Sequence, residues 1–239
     1  MPCRIFENTK HSTCFVLRDM LLIKDCLFFE RMNEMDKPFW EKTYQDNNVT
    51  TFGVKPNRAV DAMWETFDKR WLILDIGCGE GKNPIFLAER GFENVDAFDK
   101  SQAGIDKLMR IAANKNLRIN AWVQDLTEYV FQKPYDVIIS YGTFHFVEKE
   151  KWKKFITDAK KNTNIGGLNI FQIFTNKVPA SYDIAPFVKG LADEGELQSL
   201  YGDWSIISSD SHVFEDEHPG VKKHLHASNT IVARKTRCL

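Results

Sequence analysis

The sequence predicts an α/β protein in which a parallel sheet carries helices on both faces. After residue 56, segments with helical spacing of apolar residues alternate with short apolar runs of strand length, which is the pattern of such folds. A chain of 239 residues with 43% hydrophobic residues can bury one large core. The sequence has no internal repeat, low-complexity tract or dividing linker, so we expect one globular domain.

The first predicted strand lies between two predicted helices. The segment AVDAMWETF, residues 59–67, predicts a helix because its apolar residues fall at i, i+3, i+4 and i+7. These residues are Val60, Met63, Trp64 and Phe67. The apolar run WLILDI, residues 71–76, has the length of a buried strand, and NPIFLAERG, residues 83–91, predicts a helix. We expect Asn83 to cap that helix, with a start nearer Gly81 as the alternative.

Helices and strands continue to alternate in the middle of the chain. NVDAFD at residues 94–99, RINAWVQD at 118–125 and YDVIISYG at 135–142 predict the second, third and fourth strands. Residues 101–115 and 148–162 predict helices. The expected apolar stripe of the earlier helix consists of Ile105, Leu108, Met109, Ala112 and Ala113, and that of the later helix consists of Trp152, Phe155, Ile156 and Ala159.

The C-terminal part of the sequence has a different pattern. GGLNIFQIFT, residues 166–175, predicts the fifth strand, and residues 195–201 predict a short helix. Residues 204–214 and 226–235 read as two strands without a full helix between them, so we expect an antiparallel hairpin that closes the sheet edge. The connection 175–195 contains prolines and glycines, and its length is typical of a lid above the strand ends.

Charge and cysteine content restrict the partners and the compartment. Lys and Arg total 32 against 33 Asp and Glu, a net charge of −1, so we expect a small-molecule partner and neither nucleic acid nor a membrane. An odd count of 5 cysteines without CxxC spacing argues against a disulfide framework or zinc ribbon and favours the cytoplasm. A homodimer is one assembly that the sequence allows.

The first 36 residues differ from the rest of the sequence. The apolar run at residues 14–29 is interrupted by charges, so it is too short and too charged to cross a bilayer. We expect residues 1–36 to be an N-terminal extension, either disordered or upstream of a biological start at Met32 or Met35, and residues 37–239 to form the functional domain.

A glycine-rich turn follows the first predicted strand, in ILDIGCGEG at residues 73–81. Its glycines, Gly77, Gly79 and Gly81, fit neither the G-x-x-x-x-G-K-[ST] phosphate loop nor the G-x-G-x-x-G dinucleotide motif. Asp75 precedes them, and a carboxylate there repels a pyrophosphate but accepts hydrogen bonds from an ammonium group. S-adenosylmethionine carries an ammonium group and no phosphate, so we expect this cofactor at the turn.

Acidic residues also end the next two strands. Asp99 is placed to accept the two hydroxyls of a ribose, and Asp125, followed by Leu126, to accept the adenine amino group. Tyr141, at the end of the fourth strand, is expected beside the sulfonium. The alternative for Asp99 and Asp125 is that each caps the helix or turn that follows it.

The motif LDIGCGEG resembles the first motif of S-adenosylmethionine-dependent methyltransferases. KPFWEKTY, GCGEGKNPIFLAERGF, DAFDKS, EGELQSLYGDW and IVARK together resemble the tellurite-resistance methyltransferase family, over roughly residues 37–235. The resemblance implies a Rossmann-like seven-stranded sheet of order 3-2-1-4-5-7-6 with helices on both faces. It also implies methyl transfer to a tellurium or selenium oxyanion or a small thiol-like acceptor. Family members carry a His-Arg pair and a further Arg in the last hairpin, where this chain has EDEHPGVKKHLHAS, so the acceptor stays open.

Three histidines are candidates for the catalytic, acceptor side of the site. His145, in YGTFHFV, is placed to deprotonate or position an acceptor, or else packs between its two phenylalanine neighbours. His224 and His226 flank Leu225, so on a strand they face the same way and with His218, and with His212 as a further candidate, form a wall for the acceptor. A solvated hairpin face is the competing interpretation.

The same histidines raise the question of a metal ion. Imidazoles at i and i+2 of a strand can share an ion. We predict no metal site, because the sequence offers no nearby cysteine or third well-spaced ligand, although Glu215, Asp216 and Glu217 keep a metal site open as an alternative.

The N-terminal aromatic residues and the type of activity each allow more than one interpretation. Trp40 and Tyr44 belong either to a helix that covers the cofactor as a lid or to the core. Besides a tellurium or selenium oxyanion acceptor, the fold is compatible with methylation of a small thiol or amine, and with a non-catalytic protein that binds S-adenosylmethionine.

Overall fold

A seven-stranded sheet forms the centre of the protein, which a computed structural model describes over residues 37–236. The strand order is β3-β2-β1-β4-β5-β7-β6, as predicted. Strands β1 to β5 pair in parallel, and β7 is antiparallel to both of its neighbours. The strands are β1 Ile73–Ile76, β2 Val95–Asp99, β3 Asn120–Val123, β4 Tyr135–Tyr141, β5 Thr163–Phe174, β6 Ser205–His218 and β7 Val221–Arg234.

Helices cover both faces of this sheet. They are α1 Phe39–Gln45, α2 Arg58–Met63, α3 Lys82–Glu89, α4 Gln102–Asn114, α5 Lys149–Lys161 and α6 Glu196–Ser199. Alternate residues of β4 belong to opposite cores, since Ile138 packs in one cluster with α5 and Ile139 in another with α3 and α4. Among the described residues, none of the helices is long and apolar enough to span a bilayer.

The predicted N-terminal extension lies outside the described residues, so the domain boundary stays a prediction.

The predictions for α3 and α4 need correction. Asn83 does not cap α3. The cap is Gly81, which confirms the alternative start, and Asn83 lies buried inside the helix with its amide 3.4 Å from the Asp75 carboxyl group. On α4, Met109 is 40% exposed and Ala113 is also exposed, so they are not part of the buried stripe. Lys107 is buried on α4 instead, because an ion pair compensates its charge.

The predicted helix at residues 59–67 is only partly α-helical. The α-helix ends at Met63, a 3-10 turn follows at Trp64–Thr66, and Phe67 is extended. The stripe of α5 is confirmed, because Trp152, Phe155, Ile156 and Ala159 are all buried.

The C-terminal hairpin is confirmed and is longer than predicted. Residues 228–234 of β7 pair with β5, whose last residue is Phe174. Residues 221–227 of β7 continue past that point and pair with β6, and Ala227 also accepts a hydrogen bond from the Thr175 N–H directly after β5. Because β5 runs parallel to β1 and β4, this extension lies at the edge of the sheet where the glycine-rich turn also lies, and it carries His224 and His226.

Candidate active site

The turn after β1 has a backbone that favours glycine. Gly77, Gly79 and Gly81 have φ angles of 67°, 54° and 90°, in the left-handed region that other residues rarely adopt. A Cβ atom on Gly77 would lie 2.0 Å from Thr143 Oγ1, and one on Gly79 would lie 2.4 Å from the Tyr44 hydroxyl oxygen. Conformation and close packing therefore both require glycine here.

Asp99 supports this turn directly. Its Oδ2 accepts a hydrogen bond from the Gly79 N–H at 2.8 Å, and its Oδ1 accepts one from the Ser101 N–H at 2.8 Å. Burial raises the pKa of Asp99 above its ordinary value. Each carboxylate oxygen has two lone pairs, so both can accept a further hydrogen bond. The predicted role toward a ribose stays a prediction.

Asp75 lies buried beside the same turn. Asn83 Nδ2 is 3.4 Å from Asp75 Oδ2, and Asn83 Oδ1 accepts a hydrogen bond from the Asn57 N–H at 2.9 Å. Burial raises the pKa of Asp75 to about 7. A cation beside this carboxyl group would stabilise its ionised form, which is the form that the predicted ammonium contact requires.

Asp125 caps the turn that follows β3, in agreement with the capping role considered for it. Its Oδ1 accepts hydrogen bonds from the N–H and the hydroxyl of Thr127, at 2.8 and 2.7 Å, and its Oδ2 lies 2.9 Å from Lys100 Nζ. Partial burial raises the pKa of Asp125, but Lys100 and Thr127 outweigh it and lower this pKa to about 2. Leu126 is buried. The predicted contact of Asp125 and Leu126 with an adenine stays a prediction.

Tyr141 connects the end of β4 to α2. Its hydroxyl oxygen accepts a hydrogen bond from the Ala59 N–H at 3.3 Å, and burial raises its pKa. The predicted position of Tyr141 beside the sulfonium stays a prediction.

His145 is buried between aromatic rings. Its ring stacks with that of Phe174 at 4.3 Å between centroids and lies 4.1 Å from that of Phe146. Neither ring nitrogen has a hydrogen-bond partner among the described residues. Burial and the neighbouring His226 lower the pKa of His145 to about 3, so its imidazole is neutral at physiological pH. Such a ring is a weak base, which favours positioning over deprotonation.

The arrangement predicted for the histidine wall, with two histidines that face the same way, is present at the extension of the last hairpin, while its role toward an acceptor stays a prediction. His224 and His226 are buried on one face of β7, and Leu225 between them is 52% exposed. The His226 ring stacks with Phe174 at 4.3 Å, so Phe174 joins it to His145. Burial, with His224 nearby, lowers the pKa of His226 to about 4.

His218 joins this wall, with its ring centroid 5.4 Å from that of His224. His212 does not join the group, since it pairs with Asp210 at 3.1 Å.

Asp183 is a member of this group that the sequence did not reveal. It lies in the long connection after β5, and its Oδ2 is 3.5 Å from His224 Nε2. The histidine cluster is defined here as Asp183, His218, His224 and His226, whose potential ligand atoms all lie within 4.8 Å of one another. The ground for predicting no metal, the lack of a third ligand, therefore does not hold. Of the nearby acids on the hairpin, Asp216 lies 3.5 Å from His218, while Glu215 pairs with Lys223.

A buried ion pair fixes the N-terminal segment over the turn, and the sequence did not reveal this pair either. Lys107 Nζ lies 2.7 Å from Glu80 Oε2, and Glu80 Oε1 accepts a hydrogen bond from the Thr51 N–H at 2.6 Å. Tyr44 is buried with its hydroxyl beside the glycines, and Phe52 contacts it at 6.3 Å between ring centroids. No local motif marks Glu80 or Lys107, because their contacts join residues far apart in sequence.

Phe52 also links the turn to the histidine cluster. The Phe52 ring centroid is 5.2 Å from that of His218. Phe52 also contacts the ring of Tyr44, whose hydroxyl lies over Gly79. Trp40, on the same helix as Tyr44, contacts Phe146 at 5.1 Å beside His145. The N-terminal segment therefore covers both parts of the candidate site, and whether it acts as a lid stays a prediction.

The strand order and the glycine turn define a Rossmann-like fold of the class found in S-adenosylmethionine-dependent methyltransferases. The model of one family in this class, "Tellurite resistance protein TehB", matches residues 36–223. The chain belongs to this family.

Individual relatives agree with this assignment. A "Probable S-adenosyl-L-methionine-dependent methyltransferase TehB" of Haemophilus influenzae is 31% identical over 145 residues, which cover 60% of this chain and 49% of the relative. The chain thus spans about half the length of that protein. The crystal structure of TehB from H. influenzae superimposes with a TM-score of 0.67 at 26% identity, covering 75% of this chain and 62% of that one. Magnesium protoporphyrin IX methyltransferase from Synechocystis PCC 6803 with bound SAH shares the fold, with a TM-score of 0.56 at 16% identity over 74% of this chain and 80% of that one.

Proposed function

We propose that this protein is an S-adenosylmethionine-dependent methyltransferase that acts on a small-molecule acceptor. The observation that carries the proposal is the glycine turn after β1, whose Gly79 N–H is bound by Asp99 at the end of β2. This arrangement combines close backbone approach with a buried acceptor group at the carboxyl ends of parallel strands, where ligands bind in such sheets. Membership of the TehB family supports the same reaction.

The donor side is assigned to the residues around this turn. Asp99 accepts the ribose hydroxyls, and Asp75, once ionised, attracts the ammonium group of the methionine part. Asp125 and Leu126 lie at the end of the neighbouring strand, where the adenine is expected. Tyr141 lies at the end of β4, on the other side of β1. S-adenosylmethionine supplies an electrophilic methyl group, and its positive charge disperses as this group is transferred.

The acceptor side is assigned to His145 and the histidine cluster. Methyl transfer is an in-line displacement, so the protein chiefly has to align donor and acceptor and exclude water. The aromatic rings of Trp40, Phe146 and Phe174 exclude water around His145. The ring nitrogens of His145 have no hydrogen-bond partner within residues 37–236, so they can hold an acceptor through hydrogen bonds. His224 and His226 contribute further polar atoms on the far side of Phe174.

A tellurium or selenium oxyanion is the acceptor that family membership favours. The hairpin nevertheless carries lysines where the family pattern has arginines. These lysines, Lys222 and Lys223, are exposed, and Lys223 pairs with Glu215. The inward side of the hairpin carries imidazoles instead. A small thiol is the second candidate, since neutral imidazoles next to aromatic rings suit a weakly charged acceptor better than an oxyanion.

The experiment is a methyl-transfer assay with the purified full chain and methyl-labelled S-adenosylmethionine. Tellurite, selenite, small thiols and small amines are supplied separately, with His145→Ala as a variant and His212→Ala as the matched control. We expect product from tellurite or selenite in the unmodified protein and the control, and at least a tenfold lower rate in His145→Ala. Donor binding without turnover of any acceptor would favour a non-catalytic binding protein.

Assembly and partners belong to the same proposal. We expect a cytoplasmic enzyme that binds neither nucleic acid nor membranes, because its net charge is only −1. Light scattering of the purified chain would distinguish the homodimer from a monomer, and sedimentation with DNA or with anionic vesicles would test the two expected absences.

A further inference from the structure

The histidine cluster brings four potential metal ligands from three separate segments to one place. His218 ends β6, His224 and His226 lie on β7, and Asp183 comes from the connection after β5. Their potential ligand atoms lie within 4.8 Å of one another, and His224 and His226 are buried. The cluster also holds a buried polar atom, Asp183 Oδ2, that has no hydrogen-bond partner among the described residues, and such burial is unfavourable unless a ligand pairs with the atom.

The hydrogen bonding of His224 directs one ring nitrogen into the cluster. His224 Nδ1 lies 2.7 Å from the Lys222 carbonyl oxygen, which can only accept, so Nδ1 carries the proton. In the neutral ring the lone pair is then on Nε2, which lies 3.0 Å from His226 Nε2 and 3.5 Å from Asp183 Oδ2. A ring N–H held by a backbone carbonyl is the usual orientation of a histidine that ligates a metal.

Asp183 has the complementary feature. Its side chain is 2% exposed, and its Oδ2, on the side of His224, has no hydrogen-bond partner among the described residues. Its other oxygen, Oδ1, accepts a hydrogen bond from the Ser181 hydroxyl, which fixes the direction of the carboxylate. A buried carboxylate oxygen beside two imidazole nitrogens is placed to bind a cation.

We propose that Asp183, His218, His224 and His226 bind one divalent transition-metal ion of the zinc class. Three imidazole nitrogens and one carboxylate oxygen are a ligand set that Zn²⁺ accepts in four-coordinate sites. Tetrahedral bonds of about 2.0–2.1 Å put neighbouring ligand atoms about 3.3 Å apart. The separations of 3.0 and 3.5 Å around His224 Nε2 agree with that spacing, and the wider separations in the cluster, up to 4.8 Å, have to shorten when an ion binds. The four residues are also those assigned to the acceptor side, so an ion held by all of them would take the place of direct contacts between His224 or His226 and the acceptor. Binding of the ion is measured without an acceptor, so that test is separate from the test of methyl transfer.

Metal content and affinity of the full chain test this site. The chain is first treated with a chelator and then titrated with Zn²⁺ by calorimetry. The variants are His226→Ala and Asp183→Asn, and His212→Ala is the control because His212 is on the same hairpin but outside the cluster. Circular dichroism of each metal-free variant establishes that it is folded, and Asp183→Asn keeps the test valid if His226→Ala does not fold.

We expect one equivalent of Zn²⁺ in the unmodified protein and in His212→Ala. The affinity should fall at least about 10- to 100-fold in Asp183→Asn and His226→Ala, since even outer-shell changes have effects of this size. Co²⁺ bound to the unmodified protein should give the visible absorption of a tetrahedral complex, and this absorption should be absent in Asp183→Asn. The proposal is overturned if the unmodified chain binds no Zn²⁺, or if both cluster variants bind it like the control.

Discussion

Replacement of Asp99 by alanine should weaken binding of S-adenosylmethionine strongly. The carboxylate is expected to accept the ribose hydroxyls, and hydrogen bonds to a charged group contribute about 1.5–3 kcal/mol, which is about 10- to 150-fold in Kd. The structure adds a second effect, because Asp99 also holds the N–H groups of Gly79 and Ser101 at 2.8 Å. Leaving these donors unpaired should lower the free energy of unfolding by about 1–3 kcal/mol for each donor that stays dry.

Calorimetry with S-adenosylmethionine measures the first effect, and urea unfolding measures the second. Asp96→Asn is the matched control, because Asp96 lies on the same strand but its carboxylate contacts Asn120 and Tyr135 instead of the turn. This control should change the unfolding midpoint and leave the donor affinity within about twofold. An unchanged Kd in folded Asp99→Ala would refute the assignment of Asp99 to the cofactor.

Three further changes test the surroundings of the turn. Gly79→Ala should lower the free energy of unfolding by about 1–3 kcal/mol and weaken donor binding. The reason is that φ of residue 79 is 54° and the new Cβ meets the Tyr44 hydroxyl. Unchanged urea unfolding would contradict this prediction. Lys107→Met should lower the free energy of unfolding by about 3–5 kcal/mol, because it leaves Glu80 buried without its ion pair. A loss below about 1 kcal/mol in urea unfolding would refute the stabilising role of this ion pair. Donor affinity should rise roughly eightfold from pH 6 to pH 7.5, because the pKa of Asp75 is about 7 and the ammonium contact needs the ionised carboxyl, and calorimetry of Asp75→Asn should show no such rise.

The raised pKa of Asp75 also has a consequence for stability. A carboxyl group whose pKa is higher in the folded state binds more protons when folded, so the free energy of unfolding falls as pH rises from about 4 through 7. Asp75→Asn should reduce this dependence. Thermal unfolding of the ligand-free chain at several pH values measures the effect, and parallel pH profiles for the two proteins would contradict the burial argument.

Much of the fold could be predicted from the sequence because its features are local. Apolar runs and helical spacing are visible within one segment, and two strands without a helix between them predict the hairpin. The strand order came from resemblance to a family and not from periodicity. The predicted buried stripe of α4 is partly wrong, because Lys107 is buried through an ion pair that hydrophobic spacing does not reveal, while Met109 is exposed.

The candidate site also contains residues that the sequence could predict and residues that it could not. The glycines follow β1 and Asp99 is the last residue of β2, so the sequence places them at the carboxyl ends of neighbouring parallel strands, and the hydrogen bond between Gly79 and Asp99 agrees with that placement. Asp183 could not be found from sequence, since its contact with His224 joins residues 41 positions apart through the path of an irregular connection. The sequence could predict that His224 and His226 point to the same side of the sheet, because this follows from the alternation of side chains along a strand.

The most direct test of the proposed cofactor site is a comparison of nucleotide binding at the turn after β1. S-adenosylmethionine, S-adenosylhomocysteine, NAD and ATP are titrated separately into the full chain by calorimetry. We predict that S-adenosylmethionine and S-adenosylhomocysteine bind with one-to-one stoichiometry and that Asp99→Ala weakens both, while NAD and ATP show no binding that depends on Asp99. Tight binding of NAD or ATP that is lost in Asp99→Ala, or no binding of S-adenosylmethionine, would contradict this prediction.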